Sequence, residues 1–299
     1  MTRGLALYSA FEAALGRSLT WRIGRWLYLG SRRELANDPS ENGEYALQKW
    51  VLTALKQQGR SASVRFMDVG ANLGEWSEKL VESLSCAGIE DFLIHGFEPA
   101  PAQRAALLKR FGRNIAAGRY VVDGRALSAK SGRAQFMVTG ERTGTSSLDV
   151  VAHSRIHGSI VEIEVSTLDE VVHECAYQRV DFAKVDTEGN DFNAILGGRS
   201  LFDDETIGLM QFEYNWRWIG FGHWLRDVFA FIQDRPYALG RLTNENIEIY
   251  KAWNPELERY IQTNYVLVHK DILSLLPHRV VVFDGSNVVR NTSFDGQRV

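Results

Sequence analysis

The chain has 299 residues, 34 Lys+Arg against 37 Asp+Glu and 45% hydrophobic residues, a composition that excludes intrinsic disorder and collagen-like repeats and suffices for a large core. The near-neutral balance of −3 provides no general field for phosphate backbones, so nucleic acid is not an expected partner. Cys86 and Cys175 lack CxxC spacing, against a disulfide framework or structural zinc, and no apolar run reaches the ~18 residues of a bilayer span.

Residues 1–41 read as a basic, aromatic helical extension. Within residues 1–33, Arg3, Arg17, Arg22, Arg25, Arg32 and Arg33 stand against one acid, Glu12, with Trp21, Trp26, Tyr28 and Leu29 among them. Such a stretch can lie on an anionic membrane surface or cover an acceptor site. Arginine stems beside tryptophan more commonly pack on the protein itself, and that packing is the expectation. Glu12 interrupts the apolar run from Leu5 to Leu15, so no signal peptide is read and a reducing cytoplasm is the expected compartment. Turn formers from Asn37 to Gly43 set a boundary near residue 42.

A main domain over 42–270 follows. Helical spacing over 44–56 gives way to short apolar runs that predict strands at 64–69, 92–97, 120–122, 180–185, 207–212, 237–242 and 265–268. Helices are predicted between them at 74–85, 101–111, 190–196 and 225–232, and 134–138 with 161–165 reads as an extra strand pair. This alternation specifies an α/β fold with a mostly parallel sheet and helices on both faces. Residues 271–299 read as a C-terminal tail with one strand-like run at 279–283.

The sharpest local signal is Asp68-Val69-Gly70-Ala71-Asn72-Leu73-Gly74, where a buried strand turns into a helix. Glycines let backbone approach a ligand, and ligands collect at the carboxyl ends of strands in such sheets. A dinucleotide fingerprint counted from Gly70 would place glycines where Asn72 and Glu75 stand, so nicotinamide binding is disfavoured. Asp68 can orient the loop or accept from the ammonium of an amino-acid-like ligand. Glu98 ends the second strand, where a carboxylate can accept from two ribose hydroxyls.

Asp186, Glu188 and Asp191 crowd three carboxylates at one strand end beside Lys184, a pattern of a cation site, a general base or a solvated loop. Glu213 ends the next strand, and two hard carboxylates, Asp186 and Glu213, suggest magnesium. Asn215, Trp216 and Trp218 open an aromatic segment that could stack on a sugar, or form a hydrophobic lid or homodimer contact. His223 there is a candidate base, although a lone His among aromatics is more often structural. His153 and His157, four apart, read as surface residues.

The glycine turn resembles the first motif of class I S-adenosylmethionine (SAM) dependent methyltransferases, and the whole set resembles the FkbM family of O-methyltransferases. The family's further motifs are matched in order by Ala126-Leu127-Ser128, Ser146-Ser147-Leu148, Thr167-Leu168-Asp169 and Lys184-Val185-Asp186-Thr187-Glu188-Gly189. The resemblance implies a Rossmann-like fold: a seven-stranded, mostly parallel sheet with an antiparallel late strand. It implies that Gly70, Asn72 and Gly74 approach the methionine part of SAM, Glu98 the ribose, and Ala126 and Leu127 the adenine, with Asp123 near the base. Glu44 matches an acid upstream of the glycine turn. Some sugar O-methyltransferases of similar fold hold a divalent cation with an Asp after the fourth strand and an acidic pair after the fifth; here Tyr214 replaces the second acid of that pair.

The implied activity is methylation of a hydroxyl on a sugar, a glycan or glycolipid precursor, or a glycosylated small molecule, with Asp186 or Glu188 as base and Glu213 positioning the acceptor. A nucleotide-sugar or NAD-dependent oxidoreductase and a catalytically silent SAM-binding module are the alternatives.

Overall fold

The computed structural model describes residues 3–34, 37–139, 146–149 and 158–291; His153 and His157 lie outside them. Helices α1 (Arg3–Leu15), α2 (Arg17–Ser31) and α3 (Glu44–Gln57) precede strand β1 (Val64–Val69). Then come α4 (Glu75–Ala87), β2 (Phe92–Phe97), α5 (Pro101–Arg110), α6 (Gly112–Ala116), β3 (Tyr120–Asp123) and β4 (Ala126–Leu127). The middle holds β5 (Gly132–Val138), β6 (Ser159–Ser166), α7 (Leu168–Glu174), β7 (Val180–Val185), α8 (Asp191–Leu196), α9 (Arg199–Asp203) and β8 (Ile207–Tyr214). A 3-10 turn (Trp216–Phe221), α10 (Leu225–Ile232), β9 (Tyr237–Leu242), β10 (Ile247–Tyr250), β11 (Thr263–His269), α11 (Lys270–Leu273), β12 (His278–Phe283) and β13 (Val289–Asn291) complete the order.

Seven strands in the order β3-β2-β1-β7-β8-β11-β9 form the expected sheet. The neighbours from β3 to β8 are all parallel, and β11 runs antiparallel to both β8 and β9. Strand alternation sorts side chains into two cores, because neighbouring residues point to opposite faces. Phe66, Phe182 and Leu209 lie in one cross-strand row with the core under α3 and α4, while Met67, Ala183 and Met210 form the adjacent row against α8 and α10.

The sheet does not stop at seven strands. β10, β12 and β13 extend it to ten, so residues 278–283 belong to the main sheet rather than to a separate tail. β10 escapes sequence reading because Glu248 sits in the middle of its four residues. Glu248 is nevertheless buried, in register between Arg241 of β9 and Arg279 of β12. Arg241 Nε donates to its Oε2 at 2.9 Å and Arg279 pairs with its other oxygen. The extra strand pair is joined by β4 into a separate three-stranded sheet, β4-β6-β5.

The N-terminal extension is helical, but the expected packing of its arginines and aromatics on the protein forms only at its foot, where Arg32 is buried and lies over the Phe283 ring at 5.4 Å. No residue of α2 is buried, and Leu7, Phe11, Trp21 and Trp26 are exposed. Only its foot is fixed. The buried Glu34 side chain accepts from Arg241 Nη1 at 2.7 Å and Arg259 Nη1 at 2.6 Å.

Candidate active site

A cleft of about 570 Å³ opens at the carboxyl ends of β1, β2, β4 and β7. Its floor is the turn after β1. Gly70 (φ +83°), Asn72 (φ +49°) and Gly74 (φ +85°) all take left-handed backbone, which costs a side-chain-bearing residue about 1–2 kcal/mol. The Gly70 and Ala71 amides both donate to Phe97 O at 3.0 Å, tying the turn to the end of β2. Glu98 completes the clamp. Its Oε2 accepts from Asn72 N and its Oε1 from Ala100 N, both at 2.8 Å. Burial pushes this carboxyl up to about 7, although the two amides favour its charged form.

The far side of the cleft is an apolar slot formed by Phe97, Ala126, Leu127, Phe136 and Leu148. Strand β4 pairs with β6 and so presents Ala126 and Leu127 at the rim. Asn190 Nδ2 donates to Leu127 O at 2.8 Å, joining β4 to the loop after β7. Arg125, Phe136, Leu148 and Asn190 line the cleft in addition to the residues expected there. The order of Ser146-Ser147-Leu148 was a signal for Leu148; Phe136 lay unmarked in the extra strand pair.

The acidic loop closes the cleft at Asp186, Thr187 and Glu188. Lys184 Nζ donates to Asp186 Oδ2 at 2.8 Å, and that carboxylate, with Glu44 and Asp68, raises the Lys184 pKa against the burial that opposes its charge. Glu188 takes left-handed backbone (φ +57°) and pairs with Arg217. Burial and the nearby Asp186 push Glu188 up to about 8, with Arg217 pulling the other way. Asp191 is turned inward, accepting from Gly189 N at 3.1 Å and holding the loop's shape. Burial, followed by Asp186 and Glu213, raises its pKa well above the carboxylate range.

A second cavity, about 870 Å³, lies beyond Glu213 and is lined by polar groups including Asn37, Asn42, Thr243, Gln262 and Asn264. Between the two stands Glu44. Its Oε1 accepts from Asn42 Nδ2 and Asn264 Nδ2, both at 3.1 Å, while it shares a third recess with Gly70, Asn72, Lys184 and Asp186. The structure thus gathers Glu44, Gly70, Asn72, Glu98, Ala126, Leu127, Asp186 and Glu188 around two recesses that share Gly70, Asn72 and Asp186.

Other candidates are placed elsewhere. Asp68 is fully buried on the opposite side of β1, accepting from Ser77 Oγ at 2.6 Å, because alternation turns it toward α4. Asp123 is committed to Arg125, which donates from Nη2 at 2.8 Å; despite a burial penalty, His95 and Arg125 hold its pKa well below the usual range. His223 does not line the cleft and its Nε2 meets Asn193 Oδ1 at 3.0 Å. Trp218 is a core residue, 0% exposed, donating to Glu213 O at 2.9 Å, whereas Trp216 is 53% exposed. Asn215 is buried against the Glu213 carboxylate and caps the following turn through Arg217 N at 2.8 Å.

The metal expectation does not fit this donor set. Lys184 occupies Asp186 Oδ2, and Asn215 and Gln262 donate to the two oxygens of Glu213. Among the described residues, no group of three His, Cys, Asp or Glu could hold an ion. Cationic and amide donors already compensate these carboxylates, so no reaction step is assigned to magnesium.

A doubly wound sheet whose seven-stranded part has one late antiparallel strand, with a cleft at the carboxyl ends of its first strands, is the Rossmann-like fold of class I methyltransferases. The chain belongs to the FkbM methyltransferases: the family model for the methyltransferase FkbM domain matches residues 68–239. Among solved structures it is similar to methyltransferase FkbM from Methylobacillus flagellatus, at 18% identity and TM-score 0.44, over 68% of this chain and 43% of that one. The match therefore spans under half of that protein. It is also similar to the SAM-bound magnesium protoporphyrin IX methyltransferase of Synechocystis, at 10% identity and TM-score 0.38, over 76% and 80% of the two chains. A precorrin-6y C5,15-methyltransferase from Geobacter metallireducens aligns at 10% identity and TM-score 0.37, over 75% and 87%. No curated protein matches the chain.

Proposed function

We propose that this methyltransferase uses SAM to methylate a hydroxyl of a sugar or another polyhydroxylated acceptor. The reading rests on one observation: a cleft acidic at Glu98 and apolar around Ala126 and Leu127 ends at Asp186 and Glu188, and a second cavity walled by amides and carboxylates lies beyond Glu213. Polyols are recognised by such groups, which donate and accept in fixed directions.

When bound, SAM supplies a methyl group made electrophilic by its sulfonium. Glu98 accepts from the ribose hydroxyls with lone pairs not used by Asn72 and Ala100. The slot of Phe97, Ala126, Leu127 and Phe136 excludes water from the adenine. Gly70 and Asn72 bring backbone against the methionine part, and Glu44 and Asp186 provide negative charge for its ammonium. Glu188 receives the acceptor's hydroxyl proton, and Arg217 orients it. Alignment of acceptor and methyl carries up to about 7–11 kcal/mol, and the base about 10²–10⁴ in rate.

Titration calorimetry with SAM, S-adenosylhomocysteine and NAD, followed by a methyl-transfer screen over sugar and non-sugar hydroxyls, tests the reading. Saturable binding of both adenosyl ligands and transfer to a hydroxyl are expected. Binding of NAD without SAM overturns the methyltransferase chemistry, and transfer only to nitrogen or carbon acceptors overturns the O-methyl reading.

A further inference from the structure

Helices α1 and α2 are the one part of the described chain whose apolar side chains meet almost nothing. On α2, Leu19, Ile23, Trp26 and Leu27 share one face at helical spacing, and all are exposed, Trp26 by 61% and Leu27 by 56%. Arg17 and Arg25 occupy the opposite side, and Arg22, four residues before Trp26, lies on the flank of the stripe. Among the described residues no carboxylate pairs with any of the three, and Arg25 lies over the Trp21 ring at 5.7 Å. On α1, Leu7, Phe11 and Leu15 form a second exposed stripe. Three unpaired cations, interfacial tryptophans and an apolar face are the features of a helix lying in the plane of an anionic bilayer.

We propose that the α1–α2 hairpin docks the protein on an anionic lipid surface, with the apolar stripes in the headgroup region, Arg22 beside lipid phosphates, and Arg17 and Arg25 on the water side within the attraction of the surface charge. Charge selects this occupant over a second copy of the chain. A symmetric contact through the stripe would bring Arg22, on its flank near the middle of α2, toward its own copy with no carboxylate on the helix to pair it, whereas an anionic surface neutralises it.

The foot of the hairpin adds a consequence for the acceptor. Arg33 pairs with Glu245, Glu34 is locked between Arg241 and Arg259, and both Arg33 and Glu34 line the polar cavity beyond Glu213. A docked hairpin therefore holds that cavity beside the membrane, where the acceptor is a lipid-linked polyol; this last step rests on the methyl-transfer reading above.

Co-sedimentation of the full chain with vesicles of phosphatidylcholine alone, or mixed equally with phosphatidylglycerol, tests the docking. Binding to the mixed vesicles that falls about tenfold or more in Arg22→Glu/Arg25→Glu, and also falls in Trp26→Ala/Leu27→Ala, is expected. Circular dichroism and SAM titration check that both variants remain folded, since none of the four side chains is buried. Equal sedimentation with and without anionic lipid overturns the proposal. So does a concentration-dependent dimer, seen by sedimentation velocity and abolished by the same substitutions, without vesicle binding. Loss of SAM binding by the unaltered chain would instead remove the methyl-transfer reading, and with it the lipid-linked acceptor, while leaving the docking result intact.

Discussion

A side-chain carbon on Gly70 would stand 1.9 Å from the carbonyl oxygen of Asp186, so the glycine turn after β1 and the acidic loop after β7 touch backbone to backbone. Neither partner is a flexible side-chain tip that could step aside. Gly70→Ala therefore combines left-handed strain with a backbone collision. It is expected to lower stability by at least about 2 kcal/mol, read from urea unfolding, and to weaken SAM binding by more than tenfold in calorimetry. An unchanged urea midpoint would mean that the two loops part at no cost.

Glu98 touches both the glycine turn and the expected ribose position. Glu98→Ala removes an acceptor for ribose and the anchor of the Asn72 amide. Hydrogen bonds to a charged acceptor contribute about 1.5–3 kcal/mol, so a loss of roughly 10–100-fold in SAM affinity is expected. Calorimetry decides it, and wild-type affinity would take Glu98 out of the cofactor site.

The raised Glu188 carboxyl gives the reaction a pH signature. Only the ionised form accepts a proton, so turnover is expected to rise with pH and level off above about 8. Its linkage to stability has the opposite sign: the contribution is full below the ordinary carboxylate range and is lost as pH climbs through about 8. Glu188→Gln should cut turnover about 10²–10⁴-fold and abolish the rise, with SAM affinity retained. A pH–rate profile shared by both proteins would assign the proton transfer elsewhere.

Glu248 tests the buried row that joins β9, β10 and β12. Although burial opposes its charge, Arg241 and Arg279 hold its pKa below the ordinary value. The stabilisation is thus present above the unfolded carboxylate pKa and is lost as pH falls through the lower native value. Glu248→Ala leaves Arg241 with Glu34 alone and takes the carboxylate from Arg279, and is expected to cost about 3 kcal/mol in urea at neutral pH. A cost below 1 kcal/mol, on the order of a surface pair, would show that the row contributes little.

Trp216 and Trp218 separate surface from core within one short segment. Trp218→Ala should cost about 3–5 kcal/mol, while Trp216→Ala leaves the urea midpoint near wild type. If Trp216 stacks on the acceptor, its loss raises the acceptor KM; equal KM values would assign this ring to another surface role.

Apolar-rich runs of six residues made β1, β2, β7 and β9 legible to the residue, although each carries a polar residue such as Asp68, His95, Lys184 or Arg241. The opposite held at β10, where Glu248 finds its arginines on strands far away in sequence. The glycine turn, Glu98 and the acidic loop could be read from local order. Asp68 and Trp218 could not be placed, since each lies within two residues of a group that faces the cleft or solvent, and only strand register or the 3-10 turn settles which side it takes. Nor could the apolar wall of Phe136 and Leu148, which depends on a second sheet folding over the first.

The grip of the Asn72 and Ala100 amides on Glu98 has a thermodynamic consequence. Both carboxylate oxygens are immobilised by the protein's own backbone before any ligand arrives. Folding, rather than binding, has already removed the conformational freedom of this rim. Association at that end of the cleft then resembles insertion into a rigid mould, and affinity differences among adenosyl ligands will be written mainly in their rates of escape.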